Sequence, residues 1–247
     1  MKLLNLTLPS PAENLACDES LLEWCENGAD EELLRFWESP EYFIVVGYAN
    51  KLAAEVNLAL CATKGIPVYR RCSGGGTVLQ GPGCLNYTLL LKINGTGPFH
   101  SITSANRFIM ERNRAALESL LPGRQTPDPR PRIAVRGHTD LCLGRLKFSG
   151  NAQRRRKRFL LFHGTFLLHF DLALVNEVLP TPSKQPDYRD NRSHADFLTN
   201  LNLSAENVKA ALQQAWNARL PLKNPPLENA VALTREKYAK PEWNQKF

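Results

Sequence analysis

A glycine-rich segment that follows two arginines has the residue types needed to bind an anion. The chain runs from Arg70 and Arg71 through Ser73 into three successive glycines, 74–76. Glycines let the backbone approach a ligand closely, and their exposed N–H groups form anion-binding concavities. The arginines can add paired contacts to a phosphate or a carboxylate. Neither the P-loop nor the GxGxxG pattern is present, so the alternative is a flexible turn with two solvated arginines.

A lysine among apolar neighbours is the second group that could do chemistry. Lys147 stands between Leu146 and Phe148 and precedes the small residues 149–152. An ammonium group held there could face a phosphate or a developing oxyanion. The alternative is an edge-strand lysine that discourages pairing with another sheet.

A third motif, His163-Gly164-Thr165, interrupts an apolar stretch. An isolated histidine in such surroundings is more often a hydrogen-bonded core residue than a catalyst. GxSxG and HExxH are missing and the five histidines are scattered, so neither a serine hydrolase nor a histidine metal site is predicted. The six cysteines form no CxxC pair, which predicts reduced and mostly buried thiols.

The elements that must position these motifs alternate between helix and strand early and become successive strands later. Apolar spacing predicts helices at 14–26, 51–63 (ended by Gly65), 101–121 and 208–215. Apolar and β-branched runs predict strands at 42–46, 66–71, 85–93, 140–143, around Phe148 and at 159–170, and prolines predict a loop at 123–132. Short links between the later strands favour hairpins. The prediction is therefore an α+β fold with a mixed, largely antiparallel sheet flanked by helices.

Length and composition fit a single domain over residues 1–247, with a helix and tail at 202–247 packed on it. Hydrophobic residues make up 43% of the chain and charged residues 22%, which excludes disordered and fibrous classes. No apolar run reaches the roughly 18 residues of a membrane span. The N-terminal segment is too short for a secretory signal, so a cytoplasmic protein without membrane contact is expected. The net charge of +7 favours an acidic partner or a phosphate-bearing ligand.

Three ordered blocks of the chain resemble the lipoate–protein ligase A family, part of the biotin and lipoate A/B protein ligases and octanoyltransferases. The blocks are NLACDESLLE, RRCSGGGTVLQGPGCLNYTLLL and GRLKFSGNAQRRRKRFLLFHGTFLL, and the similarity extends from Asn14 to Leu201. The resemblance implies the fold of a biotin or lipoate ligase catalytic domain, which is like that of class II aminoacyl-tRNA synthetases. Only residues 202–247 follow Leu201, so the C-terminal accessory domain of longer members is not expected.

The resemblance also implies a two-step reaction with ATP and lipoate as substrates. Lipoate attacks ATP to give lipoyl-adenylate and pyrophosphate, and a lysine of an acceptor then takes the acyl group and releases AMP. The acceptor would be a lipoyl domain or a protein similar to the glycine-cleavage H protein. Mg²⁺ is implied with ATP, but no metal ligands are assigned. Asp140, the carboxylate nearest to Lys147 among these motifs, is either a ligand or structural.

Site residues carry over from the family by position. Arg71, helped by Arg70, would contact phosphate, and Lys147 would bridge the carboxyl oxygen and the α-phosphate. The rest of the expected nucleotide and acyl site comprises Ser73, Gly74, Gly75, Gly76, Thr77, Val78, Leu79, Asn86, Gly150, Asn151, Ala152, His163, Gly164 and Thr165.

Other functions stay open at this point. An ATP-independent octanoyl or lipoyl acyltransferase would need a cysteine nucleophile, and Cys142, five residues before Lys147, lies on an apolar strand where a thiol would be inert. A biotin ligase would need a loop similar to GRGRRG, which is missing. A non-catalytic acyl- or nucleotide-binding module would not need Lys147 and the arginines. A ligase without the accessory domain could also depend on a separate accessory chain.

A basic run, Arg154–Arg158, supplies much of the positive charge. It is either a solvated hairpin tip or a surface that docks an acidic acceptor domain by electrostatic attraction. The run is short and lacks interleaved aromatic residues, so nucleic-acid binding is not predicted.

Overall fold

A computed structural model describes residues 1–121, 132–182 and 184–247, and its largest element is an eight-stranded sheet. The strands are β1 (Lys2–Asn5), β2 (Leu33–Trp37), β3 (Phe43–Val46), β4 (Val68–Arg70), β5 (Val78–Gln80), β6 (Cys84–Lys92), β7 (Ile133–Arg136), β8 (Asp140–Leu143), β9 (Leu146–Arg155), β10 (Phe159–Leu167) and β11 (Leu220–Pro221). The helices are α1 (Pro11–Trp24), α2 (Leu52–Glu55), α3 (Leu58–Lys64), α4 (Ile102–Glu118), α5 (Leu172–Val178), α6 (His194–Phe197), α7 (Ala205–Ala215), α8 (Leu227–Leu233) and α9 (Pro241–Asn244). All of the predicted loop 123–132 except its last residue lies outside the described residues.

The large sheet has the strand order β11-β1-β2-β6-β10-β9-β8-β7. Strand β1 pairs in parallel with β11 and β2, and the other neighbours pair antiparallel. A second sheet has the order β4-β3-β5, with β3 parallel to β4 and antiparallel to β5. The predicted α+β fold with a mixed, largely antiparallel sheet is therefore confirmed.

The two central strands of the large sheet are apolar on both faces. Leu89 and Leu91 of β6 pack in the same cluster as α4 and α7, whereas Leu90 between them packs in the cluster of α1. Side chains alternate across a strand, so helices on both faces require a continuous apolar run. This explains why β6 and β10 are recognisable in the sequence as largely apolar segments.

The helix predicted at 51–63 is wrong as a single element, because the chain forms two short helices there. Val56 has extended backbone angles, which end α2. The side chain of Asn57 then caps α3 by accepting a hydrogen bond from the N–H of Leu60. Gly65 ends α3 in the left-handed conformation, with φ of 66°, as the sequence predicts.

The C-terminal residues pack back onto the first helix and the second sheet. Helix α8 contacts α1, and the turn 234–238 that follows it contacts the same helix. Lys237 and Tyr238 both bond to the carboxylate of Glu19 in α1. Among the described residues, no helix is both long enough and apolar enough to span a bilayer.

Candidate active site

A cavity of about 760 Å³ lies where α1, the glycine-rich segment, β9, β10 and the segment before α6 converge. Most of the predicted site residues line it. Those on its wall are Arg71, Gly75, Gly76, Thr77, Val78, Leu79, Asn86, Lys147, Gly150, Asn151, Ala152, His163, Gly164 and Thr165. Arg70, Ser73 and Gly74 do not line it, so the three motifs meet at one cavity with these exceptions.

Lys147 lies on the cavity wall, where an ion pair holds its ammonium group. Its Nζ lies 2.8 Å from Oδ1 of Asp140, and the hydroxyl of Tyr188 donates to Oδ2 of the same carboxylate at 2.7 Å. A β-carbon on Gly150 would lie 2.9 Å from that Nζ, so glycine makes room for the ammonium. Strand β9 lies between β8 and β10, so the edge-strand interpretation of Lys147 is wrong.

Arg71 holds the glycine-rich loop in shape from the cavity wall. Its Nη2 donates to the carbonyls of Gly74 at 2.6 Å and Gly76 at 2.8 Å, and its Nε donates to Oγ of Ser73. Burial lowers the pKa of Arg71 to about 10, so the guanidinium stays charged at neutral pH. A β-carbon on Gly47 would overlap the carbonyl oxygen of Gly75, which shows how closely the two chain segments approach. The alternative of a flexible turn with solvated arginines is wrong.

The prediction that Arg70 helps Arg71 to contact phosphate is wrong, because Arg70 does not line the cavity. It is fully buried, and its Nη1 donates to the carbonyls of Gly47 and Asn50. Its Nε and Nη2 donate to the carbonyls of Trp243 and Asn244 in the C-terminal tail. Arg70 therefore joins the tail to the chain behind the glycine-rich loop and does not contact a cavity ligand.

A buried polar network that the sequence analysis missed fixes His163. Its Nε2 lies 2.6 Å from Oγ of Ser73, and its Nδ1 lies 3.3 Å from Oδ2 of Asp18. Asp18 also pairs with Arg35 and accepts a hydrogen bond from Thr88. The carboxylate of Asp18 can only accept, so the ring donates to it through Nδ1. Ser73 is buried behind the cavity wall, so it orients His163 and is not placed to attack a ligand.

The charge of Asp18 is stabilised in this network. Burial alone would raise the pKa of Asp18, but the charge of Arg35 and the hydrogen bonds from His163 and Thr88 outweigh it and hold the pKa below its ordinary value. The only cue in the sequence is a row of polar residues, Asn14, Asp18 and Glu19, on a helix whose other residues are largely buried. That cue is weak without the partners from distant segments.

Asn151 and Gly164 face each other across β9 and β10 and depend on one another. A β-carbon on Gly164 would overlap Oδ1 of Asn151, so only glycine leaves room for the amide. That oxygen accepts from the hydroxyl of Tyr87 at 2.6 Å, and the amide nitrogen donates to the carbonyl of Thr139 at 2.7 Å. The side chain of Asn151 therefore shapes the cavity wall, with its amide engaged by the protein.

Many of the side chains that line the cavity are apolar, and none of them carries a thiol. Its lining includes Leu15, Trp37, Val45, Leu167, Phe170, Val175 and Leu179. None of the six cysteines lines the cavity, and all are buried. Burial raises the pKa of Cys142 and takes those of Cys72 and Cys84 to about 12. The wall of the cavity therefore combines apolar side chains with the charged groups of Lys147 and Arg71.

The basic run ends in the exposed turn between β9 and β10, as the hairpin-tip alternative expects, but its arginines also contact the rest of the protein. Arg154 donates to the carbonyl of Cys72, and Arg155 donates to that of Phe99. Arg156 forms an ion pair with Glu23, and Arg158 forms one with Asp30 at 2.8 Å. Lys157 between them is exposed.

Comparisons with known proteins agree with this geometry. Octanoyltransferase LipM of Lysinibacillus sphaericus is 26% identical over 270 residues, which cover 98% of this chain and 98% of the relative. Lipoate-protein ligase A subunit 1 of Thermoplasma acidophilum is 27% identical over 257 residues, which cover 98% of this chain and 95% of that subunit. A crystal structure of lipoate-protein ligase A bound with ATP superposes with a TM-score of 0.76 at 28% identity, covering 99% of this chain and 98% of that one.

The family model for the lipoyl protein ligase A/B catalytic domain matches residues 10–217. That range contains each of the predicted site residues and the network around His163. It also includes α1, the glycine-rich segment, β9 and β10, which line the cavity. The chain therefore belongs to the lipoyl protein ligase A/B catalytic domain family.

Proposed function

We propose that this chain is an ATP-dependent lipoate–protein ligase, which forms lipoyl-adenylate and transfers the lipoyl group to a lysine of an acceptor lipoyl domain. The observation that carries the proposal is the ammonium of Lys147 on the wall of a cavity that is lined by apolar side chains and has no thiol. An adenylate-forming enzyme needs a fixed cation where charge develops, whereas a cysteine-dependent transferase needs an accessible thiolate. The similarity to a ligase solved with ATP supports this choice.

Each part of the cavity has a role in the proposed reaction. The aliphatic chain would lie along Leu15, Trp37 and Val45, with the carboxylate directed towards Lys147. When the carboxylate attacks the α-phosphate, negative charge is shared between the two groups, and the ammonium stabilises it without reorganising. Arg71 keeps the glycine-rich loop rigid, so the loop's backbone N–H groups are positioned before the nucleotide arrives.

The described residues do not assign ligands to the Mg²⁺ that ATP normally carries. They contain no group of three side chains suited to a metal ion. Both oxygens of Asp140 are engaged, one by Lys147 and the other by Tyr188. Protein sites for Mg²⁺ often contribute only one or two carboxylates beside phosphate and water.

The proposal is tested by supplying purified protein with lipoate, ATP and a lipoyl domain. Pyrophosphate release and a lipoyl mass increase on the acceptor lysine are expected, and both should disappear without ATP. One relative is named as the first subunit of a ligase, so we also propose a separate accessory chain as a partner. Lipoyl transfer from supplied lipoyl-adenylate, without pyrophosphate release from ATP, would assign the activation step to that chain.

A second candidate is an octanoyltransferase, because relatives of that name match nearly the whole chain. The thiol of Cys142 is the one nearest in sequence to Lys147, but it is buried and donates to the hydroxyl of Tyr188. Cys142→Ser should therefore retain transfer per folded molecule while losing some stability. Transfer from an octanoyl thioester without ATP, together with a thioester on Cys142 in the intact mass spectrum, would establish this second function.

A further inference from the structure

A segment outside all of the sequence motifs covers one side of the cavity. We call residues 184–198 the cover segment. Its lining residues are Lys184, Gln185, Pro186, Asp187, Tyr188, Arg189, His194, Phe197 and Leu198. Tyr188 joins it to the active site by donating to Asp140, the partner of Lys147. The cover segment therefore contributes directly to the surroundings of the reacting group.

Arg189 in this segment is a buried cation without a counter-ion. It is only 4% exposed, and its guanidinium lies 4.7 Å above the ring of Phe197. Its Nε donates to the carbonyl of Arg192, but no carboxylate of the described residues pairs with it, and its Nη2 is buried without an acceptor there. A buried charge is costly unless it is paired and hydrogen-bonded. A ligand anion in the cavity that Arg189 lines is the partner that would offset this cost.

Arg192 shows what a purely structural arginine looks like in the same segment. It also stacks on Phe197, at 5.1 Å. Its guanidinium nitrogens donate to four carbonyls, those of Tyr188, Arg189, Arg145 and Asp196. Both guanidinium groups therefore lie over the ring of Phe197. They differ because the N–H groups of Arg192 bond to protein carbonyls, whereas Nη2 of Arg189 has no acceptor among the described residues.

The other buried or half-buried cations on the cavity wall already have partners. Arg71 donates to the glycine-rich loop, and Lys147 is paired with Asp140. Burial lowers the pKa of His194, and the charges of Arg189 and Lys147 lower it further, which places both cations close to one imidazole. Asp140 neutralises much of the charge of Lys147, so Arg189 is the buried cation on this wall whose charge no carboxylate of the described residues offsets.

We propose that Arg189 is a further ligand-binding residue, which acts with Lys147 to hold the anionic oxygens at the junction between acyl group and nucleotide. The inference rests on the proposed function, because an acyl-adenylate carries a phosphate at that junction and lipoate carries a carboxylate there. A charge-assisted, two-pronged contact from a guanidinium suits either group. The contact fixes the junction against the ammonium of Lys147.

The test compares Arg189→Gln with Arg192→Gln by isothermal titration. The probes are lipoate, neutral lipoamide and a non-hydrolysable lipoyl-adenylate analogue whose sulfamate carries the negative charge of the phosphate. Arg189→Gln should weaken binding of the analogue by about 10- to 100-fold, the effect of losing a hydrogen bond to a charged group. Lipoamide binding should be unchanged, and Arg192→Gln should keep the wild-type ratio of affinities for analogue and lipoamide.

The affinity ratio of analogue to lipoamide within one variant separates charge recognition from a general loosening of the cover segment. Loss for the analogue alone identifies the phosphate as the group bound, and loss for lipoate as well identifies the carboxylate. An unchanged ratio in Arg189→Gln overturns the inference. If that variant does not fold, Arg189→Lys replaces it, because lysine keeps the charge without the planar fork. We then expect an affinity ratio between those of wild type and a variant without the charge. An unchanged affinity ratio in Arg189→Lys would equally overturn the inference. Failure of wild type to bind any probe would instead contradict the proposed function.

Discussion

Lys147 can be removed without emptying the core, because its side chain is 24% exposed and its charged end makes one ion pair. We expect Lys147→Ala to lower the rate of adenylate formation by roughly 100- to 1000-fold, the cost of losing one preorganised charge at a developing anion. Pyrophosphate release measures the rate, and thermal unfolding should be nearly unchanged. Lys209→Ala, a lysine on α7, is the matched control. Near-normal activity would remove Lys147 from the reaction.

Asp18 predicts a dependence of stability on pH. Its folded pKa is lowered, so its contribution is complete above the ordinary value of about 4 and is lost as the pH falls through the folded pKa. Asp18→Asn leaves Arg35 buried without its partner and should cost about 3–5 kcal/mol at neutral pH. Urea unfolding should show the gap between wild type and variant narrowing as the pH falls from 7 to 3. A constant gap would mean that Asp18 is not ionised, and Glu206→Gln on the surface serves as control.

At the scale of residues, the sequence does not distinguish residues that line the cavity from residues that only hold the surrounding structure in place. Arg70 and Arg71 are adjacent, and neighbours near a strand end point to different sides, so only one of them reaches the cavity. Nothing in their types says which one. The Ser73–His163–Asp18 network joins three segments that are distant in the sequence, so no local spacing reveals it.

At the scale of elements, the C-terminal tail is a support for the glycine-rich loop. Oδ1 of Asn244 accepts from the buried N–H of Arg70 at 2.9 Å. Arg70 in turn donates to the carbonyl of Asn50, whose side chain donates to the carbonyl of Gly75. The tail therefore reaches the loop through two intermediate residues.

Asn244→Ala should lower the free energy of unfolding by about 1–3 kcal/mol, because it leaves the N–H of Arg70 without an acceptor. We also expect the KM for ATP to rise, because the glycine-rich loop loses the support that Asn244 gives it through Arg70 and Asn50. Chemical denaturation and initial-rate kinetics measure the two effects. Gln245→Ala, at an exposed neighbour, should change neither. A wild-type KM in the destabilised Asn244 variant would limit the tail to a role in stability.

The sequence predicts the strands whose two faces are both apolar. It does not predict a buried strand that contains a charged residue. The apolar runs of β6 and β10 identify them directly. Strand β2 is fully buried but has Arg35 at its centre, and that arginine is acceptable only because Asp18 pairs with it. The short strands β1 and β11 pair over a few residues, too few for a periodic pattern.

At the scale of the whole molecule, the basic run is the surface at which we expect an acidic acceptor to dock. Arg156 and Arg158 are partly exposed, and each forms an ion pair with a carboxylate of the chain. Arg154 donates to the carbonyl of Cys72, next to the glycine-rich loop, and so supports that loop. Replacing Arg154 would therefore mix docking with effects on the loop. Residues 156–158 are the part of the run that tests docking alone.

Replacement of residues 156–158 by serine should lower kcat/KM for the acceptor domain and leave adenylate formation unchanged. Electrostatic attraction acts on the association rate and weakens with salt, so the defect should shrink as ionic strength rises. The matched control replaces three exposed cations elsewhere, Arg219, Lys223 and Lys240, by serine. Equal defects in the two triple variants would attribute the effect to net charge, and no defect would exclude docking at the run.

The position of Asn244 sets an order of events during synthesis on the ribosome. Strand β1 has β11 as its outer neighbour, and the strand that leads into the glycine-rich loop is held by residues 243 and 244. Contacts between segments this far apart close late, because the loop between them must first be ordered. The glycine-rich loop can therefore not reach its final support until residue 244 has left the exit tunnel. A nascent chain stalled before that point would expose the loop without this support.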